Sequence, residues 1–236
     1  MNHIFPSIMN LKKRAALHAL KYVRNGMTIG LGSGSTTSLF IELLGESLQL
    51  GTLHDIQAVP TSEQTADLAR TLNIPLTTLE KVPQLDLAVD GADDVDPHLN
   101  LIKGLGRALL REKIVEIHAQ RLIVIVDETK LVTRLGDRSP LPIEIVPFQS
   151  PATIRWLKTL GCRAEQWYEN DGSPVITDNG NFLVRCWFAN GISDPYALDR
   201  SLADRPGVVE HGLFLDMASI VIVAGSDGIK ILERDL

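Results

Sequence analysis

The sequence predicts an α/β fold, a Rossmann-like and mostly parallel sheet with helices on both faces, plus a smaller inserted α+β domain. Three observations carry this. Short apolar runs alternate with helical stretches of about ten to fifteen residues through the first half, the signature of βαβ units. A proline-rich stretch, "SPLPIEIVPFQSP", then breaks the alternation, with four prolines in thirteen residues. Apolar strands reappear near the C-terminal end. The expected division is residues 1–137 with 207–236 for the larger domain and 138–206 for the smaller, inserted one.

Each element follows from its pattern. "LKKRAALHALKYV" places Leu11, Ala15, Leu17, Ala19, Leu20 and Val23 at helical spacing. "MTIGLG" is a short buried strand, and "STTSLFIELLGESL" is a helix entered directly from glycines. "IQAVPTS" and "LDLAVDGAD" are strands, with the helix "EQTADLARTL" between them. "RALLREKIVEIHA" reads as a helix, and "RLIVIVDET" as a strand apolar enough to be covered on both faces. The proline-rich stretch is an improbable helix and a plausible boundary. Beyond it come the helix "ATIRWLKTLG", a hairpin in "PVITDNGNFLVRCWF" turning at Asp178–Asn181, and the helix "DPYALDRSLADR". Asn-Gly between β-rich runs is a strong hairpin signal. "GVVEHGLFLDMASIVIVAGSDGIKILER" supplies strands that can rejoin the first sheet.

Composition narrows the function classes. Of 236 residues, 44% are hydrophobic and 22% charged, which suits a globular protein with ample core. The net charge of −6 implies no basic face, so nucleic-acid and anionic-membrane binding are not expected. Cys162 and Cys186 have neither metal-ligand spacing nor a disulfide framework, so a reducing cytoplasm is the expected setting. The N-terminal "MNHIFPSIMNLKKRAALHALKYV" lacks the apolar block of a signal peptide, and no apolar run is long enough to span a bilayer.

Ligands of open parallel sheets bind beyond the carboxyl ends of strands, and three unusual stretches fall there. "GLGSGSTT" fits neither the dinucleotide fingerprint nor a P-loop. It leaves Ser33, Gly34, Ser35 and Thr36 at a helix start, where free amides, the helix dipole and hydroxyls suit an anion. A tight turn with a capping serine explains it equally well. "DGADDVDP" packs four aspartates into eight positions without the register of a calcium loop. Asp90 and Asp93 flank the small residues Gly91 and Ala92, which allow close approach of a ligand, although a solvated acidic turn is the more common case. Asp94 and Asp96 are expected to be exposed, with Asp96-Pro97 opening a turn. "KGLGRALLREK" sets Lys103, Gly104, Leu105 and Gly106 ahead of a helix whose Glu112 faces back toward Ala108 and Leu109. A carboxylate over so small and apolar a face can be desolvated into a working base, although an exposed helix glutamate is the more common case. Lys130 follows the buried strand.

Taken together, "GLGSGSTT", "DGADDVD", "KGLGRALLREK", "VDETK", "PLPIEIVP", "TDNGN", "PGVVEHGLF" and "SDGIKI" resemble, in this order, the ribose-5-phosphate isomerases of the A type. The resemblance runs from Leu11 to Ile231. It implies an aldose–ketose isomerase, interconverting D-ribose 5-phosphate and D-ribulose 5-phosphate through an enediolate, with no cofactor and no metal. It further implies that Ser33, Gly34, Ser35 and Thr36 cradle the phosphate and that Asp90 and Asp93 meet sugar hydroxyls and ring oxygen. Lys103 would stand beside them, Glu112 would be the general base, and Lys130 and Lys12 would contact substrate or phosphate. A homodimer or homotetramer is implied as well. The chain departs from the family at Leu105, where consecutive glycines are usual, and at Arg107, where a small residue is usual.

Two rivals remain at this point. A non-catalytic sugar-phosphate sensor would carry a DNA-binding helix-turn-helix ahead of the domain, for which the stretch before the first helix leaves no room. A nucleotide-binding oxidoreductase would need a different glycine spacing. Proton exchange into the sugar in heavy water separates an enzyme from a sensor.

Overall fold

The computed structural model describes residues 8–234. Residues 1–7, part of the stretch read above as lacking a signal peptide, lie outside the described residues. In chain order the first elements are α1 (Ile8–Leu20), β1 (Thr28–Leu31), α2 (Ser35–Gln49), β2 (Gln57–Pro60), α3 (Glu63–Thr71) and β3 (Leu87–Asp90). Next come β4 (Asp94–Val95), β5 (Leu101–Ile102), α4 (Leu109–Glu116), β6 (Leu122–Asp127) and β7 (Leu141–Ile145). The remainder are α5 (Ser150–Lys158), β8 (Arg163–Gln166), β9 (Phe182–Trp187), α6 (Pro195–Ala203), β10 (Val208–His211), β11 (Leu213–Phe214), β12 (Ala218–Gly225) and β13 (Gly228–Glu233).

The chain forms two compact units. Among the described residues, the first comprises 8–91, 114–130 and 217–234. Its six-stranded sheet has the order β13-β12-β6-β3-β1-β2, parallel throughout except for the antiparallel edge strand β13. β6 is buried along its whole length, as its unbroken apolar run requires. One face carries the main core: Ala15, Ala16 and Ala19 of α1 and Phe40, Ile41 and Leu44 of α2 pack on Ile29, Leu31, Ile123, Ile125 and Ile222. A smaller cluster joins Val115 from the end of α4 to Val59 and Leu85.

The second unit comprises residues 92–113 and 131–216. It holds an antiparallel sheet of order β10-β7-β9-β8 and a small one of order β11-β5-β4. Leu141, Ile143 and Ile145 of β7 and Val184 and Cys186 of β9 form its core with Leu157 of α5 and Leu202 of α6. The predicted turn holds, because Thr177 N–H donates to Asn181 O at 2.9 Å and Ile176 bridges Phe182. The strand before that turn is reduced to isolated bridges, and the regular partners of β9 are β7 and β8.

Two features differ from the sequence reading. The second unit begins at residue 92 rather than 138, because β4 and β5 pair with β11 and not with the parallel sheet. The proline-rich stretch is also no boundary linker. It contains β7, an interior strand of the antiparallel sheet, in which Pro142 O accepts from Gly212 N at 2.8 Å. Proline is disfavoured in such strands since it brings no N–H, so local chemistry alone argues against the strand that long-range pairing builds.

Candidate active site

In the first unit the loop after β1 is shaped around Asp90. A Cβ on Gly32 would stand 1.9 Å from Asp90 Cγ, so only glycine admits the carboxylate there. Asp90 is buried at the end of β3, and its Oδ1 accepts from Ser33 N (3.1 Å), Thr37 Oγ1 (3.0 Å) and Gly91 N (2.6 Å). Ser33 Oγ shares hydrogen bonds with Thr61 Oγ1 and Ser62 Oγ, both at 2.8 Å, and with Thr65 Oγ1 at 3.2 Å. Ser33 thus ties the loop to Asp90 and to the start of α3. The serine-cap alternative does not hold. The N-cap of α2 is Gly34, at φ 112, with no side-chain cap. That conformation favours glycine, and it leaves the first amides of α2 to an anion. Lys12 Nζ donates to Ser35 Oγ at 2.8 Å, which brings a cation to the same helix start. Thr36 is half-buried there. Lys130, also half-buried, closes a single helical turn at Glu128–Lys130, anchored by Asp127, whose Oδ1 accepts from the Thr129 backbone N–H and hydroxyl.

In the second unit Asp93 is half-buried; its N–H donates to Ile102 O at 2.7 Å and its Oδ2 accepts from Leu105 N at 2.9 Å. Asp94, expected to be exposed, is 0% exposed. Its Oδ2 accepts from Gly136 N at 3.0 Å and Ser139 N at 3.4 Å, so the carboxylate serves loop amides that come from a distant part of the chain. Asp96 behaves as expected of a turn residue: Oδ1 accepts from His98 N and Asn100 N at 2.9 and 2.8 Å.

Lys103 and Glu112 meet in the interior of this unit. Lys103 Nζ lies 3.3 Å from Glu112 Oε2, with the two side chains 2% and 3% exposed. Glu112 stands in the first turn of α4, where its N–H donates to Ala108 O at 2.9 Å. The helix is shorter than predicted because a turn at Gly104–Arg107 precedes it and the chain after Glu116 closes in tighter turns, His118 N to Val115 O and Ala119 N to Glu116 O. The ammonium of Lys103 also lies 5.2 Å from the centroid of the buried Phe214 ring, and that of Lys113 4.8 Å from the same ring. Lys103 N–H donates to Gly212 O at 2.9 Å, and a Cβ on Gly212 would lie 2.2 Å from Lys103 O.

Of the residues marked in the sequence, those of the glycine loop, Lys12, Asp90, Gly91 and Lys130 fall in the first unit, and Ala92, Asp93, Lys103–Gly106 and Glu112 in the second. Thr37, read with the hydroxyls at the helix start, donates to Asp90 instead; Phe214 and Gly212 escaped the sequence reading. The only signal for the latter two was the motif "PGVVEHGLF", which named no role for them. Leu105 keeps a negative φ, as its replacement of glycine requires, whereas Arg107 takes φ 70. Among the described residues no group of three or more His, Cys, Asp or Glu side chains is arranged to hold a metal ion, and no helix is long and apolar enough to cross a membrane.

Residues 57–228 match the sequence model of the family Ribose 5-phosphate isomerase A (phosphoriboisomerase A). The chain belongs to that family. A ribose-5-phosphate isomerase A of Roseiflexus castenholzii is 54% identical over 94% of this chain and 94% of its own. That of Pyrococcus horikoshii is 49% identical over 97% of this chain and 100% of its own. Among solved structures, a D-ribose-5-phosphate isomerase in complex with phospho-erythronic acid superposes with a TM-score of 0.94 at 49% identity, over 97% of this chain and 100% of that one. The isomerase of Plasmodium falciparum does so with a TM-score of 0.94 at 40% identity, over 97% and 100%. As a ribose-5-phosphate isomerase A the chain is an isomerase, which removes the oxidoreductase and sensor alternatives.

Proposed function

We propose that the protein interconverts D-ribose 5-phosphate and D-ribulose 5-phosphate through a cis-enediolate, with Glu112 carrying the proton between C2 and C1. The buried Lys103–Glu112 pair is the observation that supports this best. Taking both charges out of water is costly, and such a pair is a poor source of stability compared with apolar packing. Its presence beside a family motif is explained if the carboxylate is a desolvated base and the ammonium stabilises the oxyanion that develops on the sugar. Asp90 and Asp93 would exchange protons with the ring and hydroxyl oxygens during opening. The uncapped start of α2, with Ser35, Thr36 and Lys12, would hold the phosphate, and Gly91, Ala92, Gly104, Leu105, Gly106 and Lys130 would line the sugar. The phosphate then supplies binding energy remote from the reacting carbons. The phospho-erythronic acid complex of the solved relative supports a site for a phosphorylated sugar acid or sugar.

The test is isomerisation of ribose 5-phosphate in heavy water, followed by NMR. The unaltered protein should label the sugar at the exchanging carbon. Glu112→Gln should fold and bind the sugar phosphate but lose at least about a hundredfold in kcat, the low end for general base catalysis. Retention of most turnover would move the proton transfer to another residue. We also propose a homo-oligomer working in the cytoplasm. The exposed Val146 and Phe148 beyond β7 offer apolar surface to a second copy, and the free, buried Cys162 and Cys186 suit a reducing compartment.

A further inference from the structure

The turn between Lys103 and α4 ends on an arginine in a conformation that glycine adopts more easily. Arg107 has φ 70, where a Cβ crowds the backbone carbonyl. Its N–H donates to Gly104 O at 2.9 Å, which closes the turn. Inside the turn, Leu105 N–H is held by Asp93 Oδ2 at 2.9 Å. At the other end the guanidinium grips Glu169 with two hydrogen bonds, Nη1 to Oε1 and Nη2 to Oε2, the second at 3.1 Å. It also lies 5.2 Å from the ring centroid of Trp167. The backbone of Trp167 is itself fixed, since its amide N–H donates to Leu183 O at 2.8 Å and its carbonyl accepts from Val175 N at 2.9 Å. All of these residues belong to the second unit.

The two partners are 41% and 40% exposed, so as a plain surface ion pair they would add little to stability. A bidentate fork fixes orientation as well as distance, however, and a stacked guanidinium is held more firmly still. The residue with the strained φ is thus also anchored by a contact made far out on its side chain. We propose that Arg107 and Glu169 are positioning residues, which hold the 104–107 turn in the shape that receives the sugar phosphate, so that Glu169 tunes substrate affinity without touching substrate. This rests on the isomerase reading above, in which Gly104, Leu105 and Gly106 line the sugar.

Glycine at 107 would adopt the same φ without the fork, and this gives a test. Glu169→Ala and Arg107→Lys, which keeps the charge but loses the fork, should each raise KM for ribose 5-phosphate about fivefold, equivalent to about 1 kcal/mol, with kcat changed less than about twofold. In an Arg107→Gly background, Glu169→Ala should leave KM unchanged. A purely structural pair would lower Tm with KM intact, and that outcome overturns the inference. An equal rise in KM in both backgrounds overturns it too, because Glu169 would then act independently of Arg107. If the unaltered protein fails to isomerise ribose 5-phosphate, the isomerase reading falls and takes this inference with it. If it turns over and the Glu169 variants have wild-type KM, only this inference falls.

Discussion

Replacing Lys103 by methionine should expose the energetics of the buried pair. Two unit charges 3.3 Å apart at an effective dielectric of about 20 attract by about 5 kcal/mol before desolvation is counted. Methionine keeps most of the apolar stem but removes that attraction and the ammonium's contact with the Phe214 ring. Glu112 stays buried without its 3.3 Å cation. Removing one partner of a buried pair typically costs roughly 3–5 kcal/mol, much of it the penalty of the charge left behind. The loss should therefore shrink when that charge is also removed. Urea unfolding at neutral pH, with m unchanged, measures both. Lys103→Met should lose roughly 3 kcal/mol or more, and Lys103→Met/Glu112→Gln should recover about 2 kcal/mol of it, a coupling expected only of groups in direct contact. A single variant within about 1 kcal/mol of wild type, or losses that simply add, would refute the reasoning.

Three further outcomes follow from the geometry. Thr36→Ala should raise KM for phosphorylated sugar about tenfold and change free ribose far less, as expected when a charge-assisted hydrogen bond common to ground and transition states is removed; equal losses on both substrates would make the turn structural. Gly32→Ala should displace Asp90, because the new Cβ would sit 1.9 Å from its Cγ; it should cost about 1–3 kcal/mol in unfolding and depress kcat, and an unaffected variant would refute the assigned fit. His211 is lowered to about 3, by burial first and Lys113 second, despite carboxylates of Asp199 and Glu210 at 3.3 and 3.6 Å. The unfolded chain then binds the extra proton below about pH 6.5, so stability is full above that and falls as pH drops toward about 3, by up to about 2 kcal/mol at pH 5. His211→Gln should flatten the decline between pH 7 and 5, and a slope left unchanged would assign it to other groups.

Elements whose signal is local were legible in the sequence. The unbroken apolar run at Leu122–Asp127 specifies a covered strand, and it is buried along its length. The glycines before Ser35 specify a helix start, and Gly34 is its N-cap, without a side-chain cap. The order of eight motifs along the chain carried the family resemblance, because short stretches such as Lys103, Gly104, Gly106 and Glu112 keep their spacing whatever packs around them. What those side chains experience depends on contacts from elsewhere in the chain. Nothing near Asp94 in sequence marks it as buried, since the amides it accepts belong to Gly136 and Ser139. Nothing near Lys103 shows that it is enclosed, since Phe214 and Gly212 arrive from the far end of the second unit. Pro142 argues locally against a strand, yet β7 forms because β9 and β10 pair on either side of it. Periodicity and turn chemistry are properties of neighbours along the chain. Burial, and with it the cost and the usefulness of a charge, is set by residues that only the fold brings near.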